Sequence, residues 1–172
     1  GAMPKYIENL RQRLLEEART QTRELGYGGV SIRAIAKGCG VGVGTVYNYF
    51  PSKDALIAGF MLEDWQLCVD RVEEVSQTAT DPNAVVQCIY DCLVDFSHQH
   101  SAVIGDKAAA AVFAGAFGQY HSMLRGQLAK PLEKFCADPF SAAFVAEAIL
   151  TWTMAGAAYE QIEPQIRKLF KE

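Results

Sequence analysis

The stretch "SIRAIAKGCGVGVGTVYNYFPSKDALI", from Ser31 to Ile57, decides how this chain is read. At its centre Gly40-Val41-Gly42-Val43-Gly44 alternates glycine with valine, as phosphate-cradling loops do. An aromatic cluster follows (Tyr47, Tyr49 and Phe50), closed by Pro51 and Lys53. A nucleotide loop fails on spacing. A dinucleotide fingerprint needs GxGxxG after a strand, yet Thr45 follows Gly40 and Gly42, and Tyr47 follows Gly42 and Gly44. A P-loop needs a lysine after its last glycine, and none stands there.

Two short helices joined by a tight turn fit the same residues. Ser31 is a good N-cap for a helix carrying Ile32, Ile35 and Ala36. Ala36 offers a small side chain where the helices meet, and Gly40 can take the left-handed conformation that a turn demands. Val46 is placed to plug the interface, and Gly42 can cap the second helix, near 44–50, more weakly than serine. An ordinary αα-hairpin with no ligand would use the same steric set. The polar and aromatic residues Thr45, Tyr47, Asn48 and Tyr49, flanked by basic residues, exceed what a stable surface requires.

Working outward, helical periodicity dominates, which predicts an all-α fold. Ile7, Leu10, Leu14, Ala18 and Leu25 share one face of a first helix that Gly26 can end. Ser52 can cap a long helix carrying Leu56, Phe60, Leu67, Val72 and Val75 to about Ala79. Asp81-Pro82 starts the next, which ends near His98. The segment 102–130 reads as two helices broken near Gly115 to Gly118, with Pro131 interrupting the second. After Ala137-Asp138-Pro139, an apolar helix is expected from Ser141 to Glu160, and a last short one from Pro164.

Composition narrows the classes. Half of the 172 residues are hydrophobic and about a fifth are charged, a globular balance with no bilayer-spanning apolar run and no opening signal segment. Five cysteines in no CxxC spacing suit a reducing, cytoplasmic setting, and no metal site or cofactor is expected. The net charge of −4 hides an asymmetry. Residues through Phe60 carry eight Lys/Arg against five Asp/Glu, and the rest eight against fifteen. Basic charge gathered at one end can mark a polyanion-binding module.

The Ser31–Ile57 stretch resembles the N-terminal DNA-binding domain of the TetR family of bacterial transcriptional regulators, through its IA...GV..GT.Y.YF.SK.AL pattern. The resemblance covers about the first third of the chain, and Gly42 stands where the family usually has serine or alanine. It implies a three-helix helix-turn-helix domain over 4–52 and a helical ligand-binding and dimerisation domain over 53–172. It also implies DNA contacts from Arg33, Val43, Gly44, Thr45, Tyr47, Asn48, Tyr49 and Lys53.

The chemistry is compatible with these roles. Thr45 sits where a helix N-terminus favours a phosphate, and Val43 or Tyr47 can meet a thymine methyl. Asn48 can pair with adenine or face solvent, and Arg33 can read guanine or touch a phosphate. Lys53 is expected as a phosphate clamp.

For the remainder, the resemblance implies dimerisation through the last long helices and a small-molecule pocket. Ala142, Ala146, Ile149 and Ala155 are the candidate dimer residues, and Cys88, Cys92, Tyr120, Met123 and Trp152 the candidate pocket residues. The functional expectation is a homodimeric repressor released from a palindromic double-stranded DNA operator by a small-molecule effector, with no membrane partner. The alternative is a DNA-binding organiser or activator controlled by a protein partner. No nucleophile elbow or paired catalytic carboxylates are visible, so no enzyme is expected.

Overall fold

The computed structural model describes the backbone of residues 3–171 and the side chains of residues 9–113 and 119–171. Among these residues there is no strand, and the all-α reading holds. The helices are α1 (Met3–Leu25), α2 (Ile32–Cys39), α3 (Val43–Tyr49), α4 (Lys53–Thr78) and α5 (Pro82–Gln99). After them come α6 (Ser101–Ile104), α7 (Lys107–Ala129), α8 (Pro139–Met154) and α9 (Tyr159–Arg167).

Local chemistry explains most boundaries. Gly26, at φ 74°, turns the chain out of α1. Ser52 Oγ accepts from the Ala55 amide at 3.1 Å and opens α4, and Asp81 Oδ1 accepts from Asn83 at 2.9 Å ahead of α5. Asp138 Oδ1 accepts from Ser141 at 2.7 Å to start α8. Pro131 falls just past α7, in a 3₁₀ turn over Lys130–Phe135, because proline cannot supply the amide that would continue the helix.

Several expectations need correction. The break placed near Gly115 to Gly118 falls instead at Gly105-Asp106, and α7 then runs through to Ala129. Asp106 supplies the reason, since its Oδ1 caps Ala109 at 2.9 Å and starts a new helix there. The helix expected to reach Glu160 stops at Met154, where Gly156 adopts φ 91°, and α9 contains Pro164 rather than beginning at it. Leu67 is exposed, because Trp65, Val69 and Val72 hold the buried face and Leu67 lies two residues off it. Leu25 is also exposed, lying over the backbone of Gly29, where an added Cβ would meet Leu25 Cβ at 2.7 Å. The Ile7 side chain lies outside the described residues.

Contacts divide the chain into two compact units. The first runs to Asp64 and takes in His100–Phe113; the second holds Trp65–Gln99 and the chain from Ala114 onward. The contact boundary thus lies beyond residue 52, because Leu56, Ile57 and Phe60 of α4 and Val103 and Ala109 all pack into the first core. That core is built on Leu10, Leu14, Leu15 and Ala18 of α1 with Ile35, Ala36, Val46 and Phe50. In the second unit Val85, Val86, Ile89 and Leu93 of α5 pack with Ala142, Val145, Ala146 and Ile149 of α8.

Candidate nucleic-acid interface

The site is assembled by the turn between α2 and α3. Ser31 Oγ accepts from the Ala34 amide at 3.1 Å, fixing the start of α2. Gly40 ends α2 in the left-handed region at φ 68°, where a side chain would be strained. The next amide, Val41 N–H, reaches back to the Ala36 carbonyl at 3.0 Å and completes the helix stop. Below the turn Ile35, Ala36, Cys39, Val46 and Phe50 are buried, which seats α3 by its inner face.

Outward, α3 presents Val43, Gly44, Tyr47 and Asn48 to solvent, and Arg33 is exposed on α2. Thr45 and Tyr49 are half-buried beside them. The structure therefore brings seven of the eight expected DNA residues to the α2–α3 pair. Gly42 caps α3 with no side-chain hydrogen bond, in extended backbone. A Cβ at Gly42 or Gly44 would meet no atom within 4 Å, so neither glycine is required for packing.

Lys53 differs from its expected role. Its Nζ donates to the Tyr27 carbonyl at 2.8 Å and the Val30 carbonyl at 3.1 Å, and lies 4.2 Å from the Tyr27 ring centroid. The expected phosphate clamp is thus an internal brace in the unbound chain, fastening the start of α4 to the turn before α2. Beside it the Tyr27 hydroxyl donates to Asp54 Oδ1 at 2.5 Å. Burial, and then the hydrogen bond and charge of Asp54, push the Tyr27 pKa up to about 12.

Sequence reasoning missed Lys37, exposed in the last turn of α2, and the arginines of α1. Arg13 Nη2 donates to the Cys39 carbonyl at 2.8 Å, and the Arg11 guanidinium lies 5.2 Å from the Phe50 ring centroid. Both lie on the basic segment that precedes the motif. Their distance in sequence from α2 and α3 concealed them.

The expected pocket residues do not converge. Cys88 and Cys92 are buried in the second core, Tyr120 and Met123 are exposed on α7, and Trp152 is exposed on α8. A groove of about 640 Å³ lies along α8 and α9, lined by Phe144, Trp152, Ala155, Ile162 and Leu169 among others. Three candidate dimer residues are also corrected. Ala142, Ala146 and Ile149 are fully buried within the unit, where their small or apolar side chains pack inward, while Ala155 lines the exposed groove. The outward face of α8 carries Phe140, Phe144 and Trp152, at 76, 56 and 61% exposure.

Two short helices around a left-handed glycine turn, with the second helix open to solvent, define a helix-turn-helix domain. The comparisons with known proteins agree. Residues 14–59 match the model of the tetR family of bacterial regulatory proteins. It is 39% identical over 64 residues to the HTH-type transcriptional regulator UidR of Escherichia coli, a match covering 37% of this chain and 33% of UidR. The chain thus spans about a third of the length of this curated relative.

The fold likeness extends further. SCO7518 of Streptomyces coelicolor A3(2) superposes with a TM-score of 0.70 at 20% identity, over 94% of this chain and 98% of its own. RolR, solved in complex with the ligand resorcinol, superposes with a TM-score of 0.62 at 23% identity, over 96% of this chain and 90% of its own. Among the described residues no helix is long and apolar enough to cross a membrane.

Proposed function

We propose that this chain is a sequence-specific DNA-binding transcriptional regulator that works as a homodimer and answers to a small-molecule effector. The observation that carries the proposal is the α2–α3 pair itself, with Arg33, Val43, Tyr47 and Asn48 exposed on a domain matched to a family of regulators. In this reading α3 enters the major groove. Arg33 and Asn48 address base edges, while Thr45, Tyr49 and exposed basic residues such as Lys37 address phosphates.

A single short helix pair has little area for affinity, so two copies are needed on half-sites about 34–36 Å apart. The exposed apolar face of Phe140, Phe144 and Trp152, continuous with the α8–α9 groove, supports a second copy as the occupant of that surface. Effector response is supported by the fold shared with RolR, which binds resorcinol. The effector's effect would travel through α4, which gives Leu56, Ile57 and Phe60 to one core and Trp65, Val69 and Val72 to the other. Effector and DNA would then be negatively coupled, each weakening the other by the same factor, and the regulator would act as a repressor.

The test is selection of bound sequences from random double-stranded DNA at two salt concentrations. A palindromic site whose affinity falls steeply with salt is the expected result. Recovery of no preferred sequence would overturn the proposal. Arg33→Ala then assigns that residue: relaxed preference at one base pair, of about 1–3 kcal/mol, means base reading. Equal loss on selected and random DNA means a phosphate contact.

A further inference from the structure

Three of the five cysteines, Cys68, Cys88 and Cys92, gather where α4 meets α5 in the second unit. Cys68 on α4 is half-buried, whereas Cys88 and Cys92 on α5 are 7 and 3% exposed. The Cys68 thiol donates to the Cys92 carbonyl at 3.6 Å, which brings α4 and α5 into contact at these two cysteines. Cys88 lies one helical turn before Cys92 on the same helix. All five cysteines are free, and the described residues contain no group of three ligands able to hold a metal ion. The cluster therefore suits chemistry between thiols better than metal binding.

Cys92 is set apart from its neighbours. Hydrogen bonding from Cys68 brings its pKa down to about 6 against the opposing cost of burial, with the charge of Arg71 and a bond from Cys88 adding to the shift. The same arrangement pushes Cys68 up, and burial takes Cys88 to about 11. Thiolate is the nucleophile in sulfur chemistry, and the directions of these shifts favour Cys92 as the thiolate of the three. Elsewhere, burial pushes the Cys39 and Cys136 thiols up, which leaves them as unreactive controls in the same molecule.

We propose that Cys92 and Cys68 form a reversible disulfide on reaction with hydroperoxides. The Cys92 thiolate attacks one peroxide oxygen; an S–O bond forms, the O–O bond breaks, and hydroxide leaves to take up a proton as water. The sulfur of Cys68 then attacks the Cys92 sulfenic sulfur; an S–S bond forms, the S–O bond breaks, and the released hydroxide leaves as water with the Cys68 proton. In sum, two thiols and one hydrogen peroxide give one disulfide and two waters, the sulfurs losing two electrons and the peroxide gaining them.

Geometry selects Cys68 over Cys88 as the resolving partner. Residues four apart on a helix hold their Cβ atoms about 5–6 Å apart, beyond the ~3.5–4.5 Å that a disulfide spans. Cys68 approaches Cys92 from a different helix and is free of that restraint. It is also the most exposed of the three.

The experiment treats the full chain with graded hydrogen peroxide, alkylates the remaining thiols and maps the peptides by mass spectrometry. A dithiothreitol-reversible link between the Cys68 and Cys92 peptides should appear, about tenfold or more faster than any oxidation of Cys39 or Cys136. Cys88→Ser should retain the link. Cys68→Ser should stop at a Cys92 sulfenic acid trapped by dimedone, and Cys92→Ser should react no faster than the controls. Because the wild-type map needs no substitution, a variant that fails to fold leaves the test intact. A Cys88–Cys92 link, or oxidation of Cys39 or Cys136 at the same rate, would overturn the proposal.

Discussion

The outward faces of α3 and α8 solve opposite problems. On α3 the exposed residues are two glycines' neighbours and hydrogen-bonding side chains, Val43, Tyr47 and Asn48, with Arg33 and Lys37 on adjoining α2. On α8 they are Phe140, Phe144 and Trp152, large apolar groups beside a groove. The first surface can exchange water for a charged, hydrated partner. The second gains by losing water altogether. The difference separates two sources of binding free energy, one sensitive to salt and the other to buried apolar area.

The comparison can be broken most forcefully from below. Phe50→Ala removes a buried ring that supports α3, and urea unfolding should report a loss of about 3–5 kcal/mol. On the proposed function, DNA binding should fall in step, because the outer face of α3 is positioned by the inner one. On the apolar side, Phe144→Glu combined with Trp152→Glu should weaken self-association by about 2–4 kcal/mol in sedimentation equilibrium. Because both side chains are exposed in the isolated chain, helicity by circular dichroism should be unchanged. An unaltered association constant would remove α8 from the dimer reading.

Smaller effects sharpen the role of the brace. Lys53→Ala deletes two hydrogen bonds from an ammonium and its contact with the Tyr27 ring, and should cost about 1–3 kcal/mol of stability. If the brace is its whole role, the slope of log affinity against log salt will stay unchanged. A slope lower by about one unit would restore the phosphate clamp.

The neighbouring Tyr27 adds a pH signature. Its pKa is raised in the fold to about 12 from about 10 when unfolded, so its contribution is complete below pH ~10 and is lost as pH rises toward 12. Comparing Tyr27→Phe with the parent across that window should isolate the step, which the variant lacks. The smallest change is Gly42→Ser, which should stabilise by a few tenths of a kcal/mol through a better cap on α3.

The two faces also differed in how much of them was legible in sequence. The α2–α3 unit is written in local signals. Ser31 caps, Gly40 turns, Val46 and Phe50 point inward, and each acts on residues a few positions away. What the sequence left hidden there is the internal bonding of Lys53, whose partners Tyr27 and Val30 lie more than twenty residues earlier and carry no periodic signal.

In α8 the apolar residues occur all around the helix, so periodicity could not tell inside from outside. Small residues such as Ala142 and Ala146 suggest close approach of helices from two copies, yet they and Ile149 fill the intramolecular core, and the larger aromatics face out. The scattered pocket residues fail for the same reason, since shared composition does not place side chains on a common cavity.

The empty space around Gly42 and Gly44 has a consequence for change over generations. Positions whose new side chains meet nothing inside the protein can vary without a packing clash, so only the local preferences of the cap and helix weigh on stability there. A lineage carrying this domain can explore new binding preferences at these two sites while its stability stays nearly constant. Gly40, fixed by its backbone angle, offers no such freedom, and the boundary between tunable and fixed lies only two residues wide.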